Sequence, residues 1–253
     1  MKSMLKNFIT AVQFLTIITL NKKHEVEEND LARSMVYFPL VGFALGFILV
    51  NADKGLLWMF PQALVNAMLI VTLVLLTRAL HIDGLADTLD GLMGGYDSKS
   101  RLHIMKDSRI GTAGVIGIVL LLLVKYLALN NLFSGSRVEA LLTAPLLARW
   151  SQTLMVYKAN YGREEGMGSA FVGHLRGKSM VAAFAITFGL AIWVNGWIVL
   201  YLIAGVLALT LLGRWYLVKR LGGVTGDAIG AMSELNEVLV LLLLVVLSGS
   251  GAE

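Results

Sequence analysis

Residues 81–111 read HIDGLADTLDGLMGGYDSKSRLHIMKDSRIG. Asp83, Asp87 and Asp90 follow one another at spacings of four and three, which places three carboxylates on one face of a helix. Like charges so close together repel, so this face needs partial protonation, contact with water or a bound cation. Hard carboxylate oxygens at this density are the ligands that Mg²⁺, Mn²⁺ and Ca²⁺ prefer. The stretch therefore predicts a divalent-metal site on a helix.

The composition around this stretch is that of a membrane protein. Hydrophobic residues make up 57% and charged residues 15% of the 253-residue chain, whereas soluble domains carry about 25% charged residues. The absence of cysteine excludes disulfides, thiol catalysis and zinc–thiolate sites. No cleavable signal peptide is expected, because the first apolar segment is not followed by a small-residue cleavage site.

The apolar segments predict an all-α, polytopic integral membrane protein with about seven transmembrane helices, organised as a single catalytic domain over residues 1–253. Residues 8–20 are apolar but too short to span, so we expect a short N-terminal interfacial or re-entrant helix there, followed by a polar loop at residues 24–30. Gly42 and Gly46 have the spacing that lets two helices touch. The predicted spans are residues 31–50, 63–80, 112–129, 139–157, 180–194, 197–213 and 235–247.

The distribution of lysine and arginine predicts the orientation of these spans. Seventeen of these residues fall at the N-terminus or in the loops on its side, and two, Lys54 and Arg137, fall in the opposite loops. Cytoplasmic loops carry the excess of positive charge in membrane proteins. The glycine-bearing polar loops are therefore expected to face the cytoplasm together.

A second acidic helix face is predicted near the C-terminus, in LGGVTGDAIGAMSELNEVL. Asp227, Glu234 and Glu237 share one stripe of this helix, and Gly222 and Gly223 lie just before it. Two acidic faces at one depth would form two walls of one metal site; the alternative is that each face meets cytoplasmic water. The predicted metal ligands are Asp83, Asp87, Asp90, Asp227 and Glu234.

Two loops supply positive charge for an anionic ligand. In KDSRIGTAG, Lys106 and Arg109 flank Asp107 before a span, where a helix N-terminus could help to bind a phosphate. The second loop, YKANYGREEGMGSAFVGHLRGKS, contributes Arg163, Gly166 and Gly168 as further candidates. Neither loop has the spacing of a P-loop or a dinucleotide fingerprint, so nucleotide binding of those kinds is not predicted, and nucleic acid is not expected as a partner.

Arg149 and His81 are isolated polar residues with two readings each. Arg149 lies within a predicted span, and it is either a snorkelling or interhelically paired residue or a phosphate-binding arginine deep in a site. His81 is either a structural histidine or an acid/base group. Carboxylates for Mg²⁺ beside basic groups for phosphate favour phosphoryl transfer. A cation-coupled transporter is the alternative, but its charges belong near the bilayer midplane in repeated halves, and no internal repeat is evident.

Four motifs in order along the chain resemble the cobalamin synthase family, the adenosylcobinamide-GDP ribazoletransferases: HIDGLADTLDGL, MKDSRIGTAG, REEGMG and GGVTGD..GA..E..E. The resemblance implies a Mg²⁺-dependent enzyme of the bacterial inner membrane. It would join adenosylcobinamide-GDP to α-ribazole or its 5'-phosphate and release GMP. The acidic stretch is also similar to CDP-alcohol phosphotransferases, so a lipid phosphotransferase is the rival enzyme; the oligomeric state stays open, with a homo-oligomer as one expectation.

The resemblance implies roles for the candidate residues. The aspartates of residues 81–111 would hold Mg²⁺ against the diphosphate, and Asp90 is the expected general base, with Asp107 and His81 as further catalytic candidates. The expected diphosphate and substrate ligands are Lys106, Arg109, Arg149, Arg163, Gly166, Gly168, Gly222 and Gly223.

Overall fold

The computed structural model describes residues 2–21, 28–163, 166–172 and 174–249. Within these ranges it is helical without strands, and one isolated parallel bridge joins Tyr161 to Val224. The α-helices are α1 Lys2–Leu15, α2 Glu28–Ser34, α3 Phe38–Leu56, α4 Gln62–Leu76, α5 Leu80–Gly94, α6 Ser98–Ile104, α7 Thr112–Asn130, α8 Arg137–Val156, α9 Gly177–Asn195, α10 Val199–Leu221 and α11 Gly226–Gly249. Short 3-10 turns occupy Met35–Tyr37, Ser134–Ser136, Met167–Ala170 and Gly196–Ile198.

α8 is the central helix, and its whole second half is buried. It packs antiparallel to α3 at very short range, because α3 has no side chain at its two contact points. A Cβ on Gly46 would lie 2.5 Å from the carbonyl oxygen of Leu141, and one on Gly42 would overlap the carbonyl oxygen of Pro145. The predicted close helix contact at Gly42 and Gly46 is therefore confirmed.

α9 and α10 form an antiparallel hairpin against α8. The ring of Phe184 on α9 contacts that of Trp150, while Asn195 at the end of α9 donates to the hydroxyl of Thr143 near the start of α8. α10 then runs the other way, since Arg214 near its end donates to the last carbonyls of α8. The chain thus reverses direction between the two helices.

The chain breaks sharply between α4 and α5, inside the second predicted span. Arg78 and Ala79 both have left-handed backbone conformations, with φ of 54° and 55°, which non-glycine residues adopt at a cost in free energy. The helices on either side meet at 87°. α5, which carries the predicted acidic face, therefore leaves the direction of α4 and crosses to α11.

Among the described residues, four segments have the length and apolar composition of membrane spans, or five if the bent pair α4–α5 is one span. One segment of 45 residues, Gly177–Leu221, contains the whole α9–α10 hairpin, whose two helices run in opposite directions. α8 is not among the candidates, because its protein-facing surface carries charged and polar side chains. The all-α, multi-pass membrane class is confirmed, whereas a count of seven spans is not.

The bundle has two chemically different ends. At the end that we call the Trp58 end, Arg137 at the start of α8 pairs with Asp53 at 2.6 Å and donates to Asn66 at 2.6 Å, which joins the α3–α4 and α7–α8 turns. The opposite end, which we call the Asp83 end, contains α5, α6, the loop after α8 and the starts of α7 and α11. Exposed aromatic residues lie near both ends, as in membrane-interface belts: Trp58, Trp193 and Trp197 at the first, and Trp215 and Tyr216 at the second.

α1 lies at the Asp83 end and differs in position from the helix predicted at residues 8–20. It begins and ends earlier, and the chain after it is tied to the end of α4: Ile17 N–H donates to the Leu76 carbonyl at 2.7 Å, and Arg78 donates to the Gln13 carbonyl. Residues 22–27 of the region around the predicted loop lie outside the described residues, and the remainder, from Glu28, is helical. The interfacial or re-entrant character of α1 stays a prediction.

Candidate active site

The predicted acidic faces of α5 and α11 do meet, at a crossing built on glycine. A Cβ on Gly84 would lie 2.8 Å from the backbone oxygen of Asp227, and one on Gly230 would lie 3.2 Å from the Cα of His81. Only residues without side chains allow this approach, and it brings the α5 carboxylates to the first turn of α11. We call the resulting group, Asp83, Asp87, Asp90 and Asp227, the aspartate cluster.

The aspartate cluster carries more negative charge than its surroundings balance. Asp87 feels the negative charges of Asp227, Asp83 and Asp90, and among the described residues Arg163 is the cation that counters them there. In the part of the chain that the structure describes, neither Asp83 nor Asp87 has a side-chain hydrogen bond or an ion pair. No three acidic or histidine side chains of the described ranges converge closely enough to hold a metal by themselves.

Asp90 has a different role from its neighbours. Its two carboxylate oxygens accept the backbone N–H groups of Gly111 and Gly114, at 2.7 and 2.8 Å. These are donors at the start of α7 that no residue of that helix satisfies, so Asp90 caps α7 from outside. Asp90 is predicted to be a general base and a metal ligand, but each of its carboxylate oxygens already accepts a hydrogen bond from the start of α7.

Arg163, in the loop after α8, forms the one ion pair that the cluster has with the described residues. Its Nη2 lies 2.5 Å from Oδ2 of Asp227, and it also donates to the Met105 carbonyl at 3.4 Å. The loop is held in place by backbone bonds to the turn before α11, from Gly162 N–H to the Val224 carbonyl and from Val224 N–H to the Asn160 carbonyl. Arg163 is thus a positioned cation at the edge of an excess of carboxylates.

Two openings meet at Arg163. One is a cavity of about 180 Å³ that is lined by Asp83, Asp227 and Arg163 together with apolar side chains. The other is a wide surface groove of about 760 Å³ along α6, which we call the basic groove. The basic residues on its lining are Lys99, His103, Lys106 and Arg163.

The predicted phosphate-binding pair Lys106 and Arg109 is divided by the structure. Lys106 lines the basic groove, whereas Arg109 turns to Asp107 and forms an ion pair with it at 2.7 Å. Hydrogen bonds from Arg109 lower the pKa of Asp107 to about 2, so this exposed carboxylate holds its charge and is a weak proton acceptor. Asp107, predicted as catalytic, is also not among the residues that line the cavity or the groove.

Glu234 and Arg149 lie in a separate group, which we call the buried ion network: Lys125, Arg149, Glu234 and Glu237. Lys125 Nζ lies 2.6 Å from both Glu234 and Glu237, and Arg149 Nη1 lies 3.0 Å from Glu237. The expectation that Glu234 shares a metal site with Asp227 is not met by this arrangement. Seven residues of helix separate the two, roughly 10 Å, and Glu234 lines another, largely apolar cavity with Lys125. Arg149 therefore forms an interhelical ion pair, which is one of the interpretations that the sequence left open for it.

A chain of hydrogen bonds runs from Arg149 to His81. Arg149 and the Gln152 side-chain amide both donate to the Ser233 hydroxyl, which in turn donates a hydrogen bond to the Ala148 carbonyl. The Gln152 atom shared with His81 is therefore its NH₂ group, which lies 2.8 Å from His81 Nε2. With the Gln152 amide in this orientation, His81 Nε2 accepts, which corresponds to the neutral tautomer with its proton on Nδ1. This makes His81, predicted as an acid/base group, a donor in its resting form.

The predicted glycines lie in the loops beside the cluster. Gly166 has φ of 153° and packs under the Tyr161 hydroxyl, and Gly168 lines the cavity. Gly222 ends α10 in a left-handed conformation with φ of 82°, and Gly223 packs against Gly162. Gly222 and Gly223 therefore shape the turn between α10 and α11, which contacts the loop after α8. Residues 164–165 of the REEGMG motif lie outside the described residues.

The sequence missed the aromatic wall of the cavity. Phe14 of α1, Phe38 of α3 and Phe171 of the loop after α8 come together there, with ring centroids 4.9 to 6.0 Å apart. No spacing rule connects residues so far apart in the chain. Gln152 was missed because a single amide within an apolar helix forms no sequence pattern.

An apolar helical bundle with unbalanced carboxylates, a positioned arginine and a basic groove at one end defines a class: a multi-pass membrane protein with a charged site at one end of the bundle. No solved structure matches the chain.

Comparison with known sequences is more specific. The family model described as cobalamin-5-phosphate synthase matches residues 7–245. Proteins named adenosylcobinamide-GDP ribazoletransferase are similar over nearly the full length: one from Geotalea daltonii is 42% identical, covering 97% of this chain and 99% of its own length, and one from Syntrophobacter fumaroxidans is 38% identical, covering 94% and 97%. The chain belongs to the cobalamin-5-phosphate synthase family, and it is a transferase.

Proposed function

We propose that this protein joins adenosylcobinamide-GDP to α-ribazole or α-ribazole 5'-phosphate, releasing GMP and forming adenosylcobalamin or its 5'-phosphate. The names of its relatives support the substrates. The observation that carries the proposal is the position of the aspartate cluster, whose uncompensated carboxylates lie beside Arg163 where a cavity and a basic groove meet. This arrangement suits two substrates that approach one phosphorus atom from two sides.

In the proposed step, a ribose hydroxyl oxygen of α-ribazole bonds to the phosphorus attached to cobinamide, and the bond from that phosphorus to the GMP oxygen breaks. The hydroxyl proton passes to a carboxylate. We assign this role to Asp83, because it lines the cavity and has no partner in the described ranges, whereas Asp90 is engaged by α7. GMP leaves with the electrons of the broken bond.

The donor set fits Mg²⁺ as the cofactor. Mg²⁺ is usually held by one or two carboxylates together with substrate phosphate oxygens rather than by a complete protein cage, so an incomplete carboxylate set suits it. Asp87 and Asp227 would hold the ion, with Asp83 beside them. When bound, Mg²⁺ would neutralise the charge that develops on the diphosphate.

The basic groove suits the GDP part of the donor. Lys99, Lys106 and Arg163 present charged N–H groups that pair with phosphate oxygens. A phosphate that takes Arg163 would release the carboxylate of Asp227 from its ion pair, so donor binding and the availability of that carboxylate are coupled. Arg109 and Arg149 drop out of this assignment, since both are committed to carboxylates elsewhere.

We place the Asp83 end in the cytoplasm of a bacterium, with the bundle in the inner membrane. Apart from Lys54 and Arg137 at the Trp58 end and the two buried cations of the ion network, the lysines and arginines of the described residues belong to the N-terminal helices α1 and α2, to α6, to the loops at the Asp83 end or to the helix ends beside them. The positive-inside rule makes this end cytoplasmic. A homo-oligomer stays a prediction.

The test is GMP release by the purified protein in detergent or liposomes. We expect GMP only when adenosylcobinamide-GDP, α-ribazole and Mg²⁺ are all present. A folded preparation that releases no GMP under these conditions, or that instead releases CMP from a CDP-lipid, would overturn the proposed reaction. GMP release that is independent of Mg²⁺ would overturn the cofactor alone.

A further inference from the structure

We infer that the aromatic cavity at the Asp83 end binds the flat base of the acceptor nucleoside, while the donor stays outside in the basic groove. The inference rests on the proposed function, in which α-ribazole supplies the attacking hydroxyl. Its base is a methylated benzimidazole, an apolar bicyclic ring with a ring nitrogen as hydrogen-bond acceptor. The cavity offers a match for each of these features.

The wall of the cavity is built for a ring. Phe14 stacks parallel to Phe38, with centroids 6.0 Å apart and planes 12° apart, and Phe171 leans against both. Phe38 and Phe171 are buried, and Met35 and Ile229 add aliphatic surface on the lining. A planar aromatic base gains both apolar burial and stacking on such a wall.

Two buried polar atoms on residues of this lining, His81 Nδ1 and Arg163 Nε, lack a partner among the described residues. His81 lines the cavity and is 3% exposed, and its Nδ1 has no hydrogen-bond partner in the described ranges. Because Gln152 donates to Nε2, the proton is on Nδ1, and the imidazole is a donor in need of an acceptor. A buried donor without a partner costs free energy that an acceptor atom of a ligand recovers. The free ring nitrogen of a benzimidazole is such an acceptor.

The charged side of the same cavity leads to the reaction. Asp83, Asp227 and Arg163 line it together with the aromatic wall, so a nucleoside whose base lies on the phenylalanines has its ribose near these carboxylates. Arg163 also lines the basic groove. The two substrates therefore meet at Arg163, with the acceptor hydroxyl on one side and the diphosphate on the other.

The basic groove lacks the features that the base requires. Its lining is formed by lysine, serine, histidine, aspartate, glycine and arginine with one leucine, and it is wide and open to solvent. Such a surface binds a diphosphate well and an apolar ring poorly. This contrast assigns the acceptor to the cavity rather than to the groove.

The experiment measures the Michaelis constants of both substrates for Phe171→Leu and Phe14→Leu. Leucine keeps the apolar surface and removes the stacking face, so we expect the KM of α-ribazole to rise roughly tenfold and that of adenosylcobinamide-GDP to stay within about twofold. Phe47→Leu is the matched control, since Phe47 is 60% exposed on the outer face of α3; it should change neither constant.

Direct binding of α-ribazole without the donor gives a second measurement that does not depend on turnover. We expect the wild type and Phe47→Leu to bind α-ribazole alike, and Phe171→Leu to bind it roughly tenfold more weakly. Equal α-ribazole constants in the wild type and both cavity variants, or a rise in the donor constant alone, would overturn the inference. A wild type that releases no GMP would instead overturn the proposed function, so the two failures are distinguishable.

Discussion

The aspartate cluster and the buried ion network both place acidic side chains where α11 meets a neighbouring helix, yet they are built in opposite ways. In the buried ion network, two carboxylates face two cations, and each carboxylate has a partner within 3.0 Å. In the aspartate cluster, four carboxylates face one arginine, and two of them have no partner among the described residues. A balanced group holds helices together, whereas an unbalanced group is completed by something that binds.

The largest effect that this comparison predicts is on catalysis. Asp87→Asn should lower the rate of GMP release by about a thousandfold, because it removes a proposed metal ligand, while the fold is kept. The thermal unfolding midpoint should stay unchanged or rise, because the substitution relieves repulsion among like charges. Near-normal activity of Asp87→Asn at limiting Mg²⁺ would show that the unbalanced cluster is not the metal site.

A change in the buried ion network should act on stability. Glu237→Gln leaves Arg149 and Lys125 with a single carboxylate between them, and breaking a buried pair in this way costs about 3 kcal/mol. We expect a clearly lower unfolding midpoint in detergent. The control is the double variant Arg149→Met with Glu237→Gln, which restores the charge balance and should recover much of the loss; a single variant as stable as the wild type would contradict the comparison.

Asp90 lies in the aspartate cluster, but its contacts with α7 are structural, as those of the buried ion network are. A substitution of Asp90 therefore tests whether contacts or position decide the role of a carboxylate. Asp90→Asn keeps one acceptor oxygen and turns an NH₂ group towards the start of α7, which should cost about 1–2 kcal/mol of unfolding free energy. Gly114→Ala attacks the same contact from the other side, since its Cβ would lie 2.5 Å from Asp90 Oδ2. Similar losses of stability, with activity reduced far less than in Asp87→Asn, would confirm the capping role.

The smallest effect is expected at the exposed pair Asp107–Arg109. Arg109→Ala should leave the KM of adenosylcobinamide-GDP within about twofold of the wild type, because exposed ion pairs contribute little and Arg109 is paired with Asp107 and is not on the groove lining. Lys106→Ala, three residues earlier and on the groove lining, should raise that KM about fivefold. Equal effects of the two substitutions in a kinetic assay would return Arg109 to the binding site.

Helical periodicity accounts for what the sequence predicted well. The spacing of Asp83, Asp87 and Asp90 gave one acidic face, the glycines allowed its approach to Asp227, and Gly42 and Gly46 marked the contact with α8. Each of these properties is local to one helix or one short motif. The all-α membrane class followed from composition for the same reason.

Long-range pairing explains what the sequence could not supply. Nothing in the stripe that holds Asp227 and Glu234 says which acid meets a cation, because the partner of Glu234 lies 109 residues earlier, at Lys125. The break before α5 was also hidden, since Arg78 and Ala79 adopt left-handed conformations without a glycine to indicate them. The aromatic wall joins three distant segments, which no periodic pattern connects.

The burial of α8 has a consequence for how the protein is made. α8 is too polar to be recognised as a membrane span by composition, so its entry into the bilayer depends on neighbours such as α3. Its Arg149 is paired with a glutamate 88 residues later, which a ribosome reaches only after roughly 4–18 s at 5–20 residues per second. During that interval the arginine has no carboxylate from α11. The partly synthesised bundle therefore contains an Arg149 that lacks its Glu237 partner until α11 has been made.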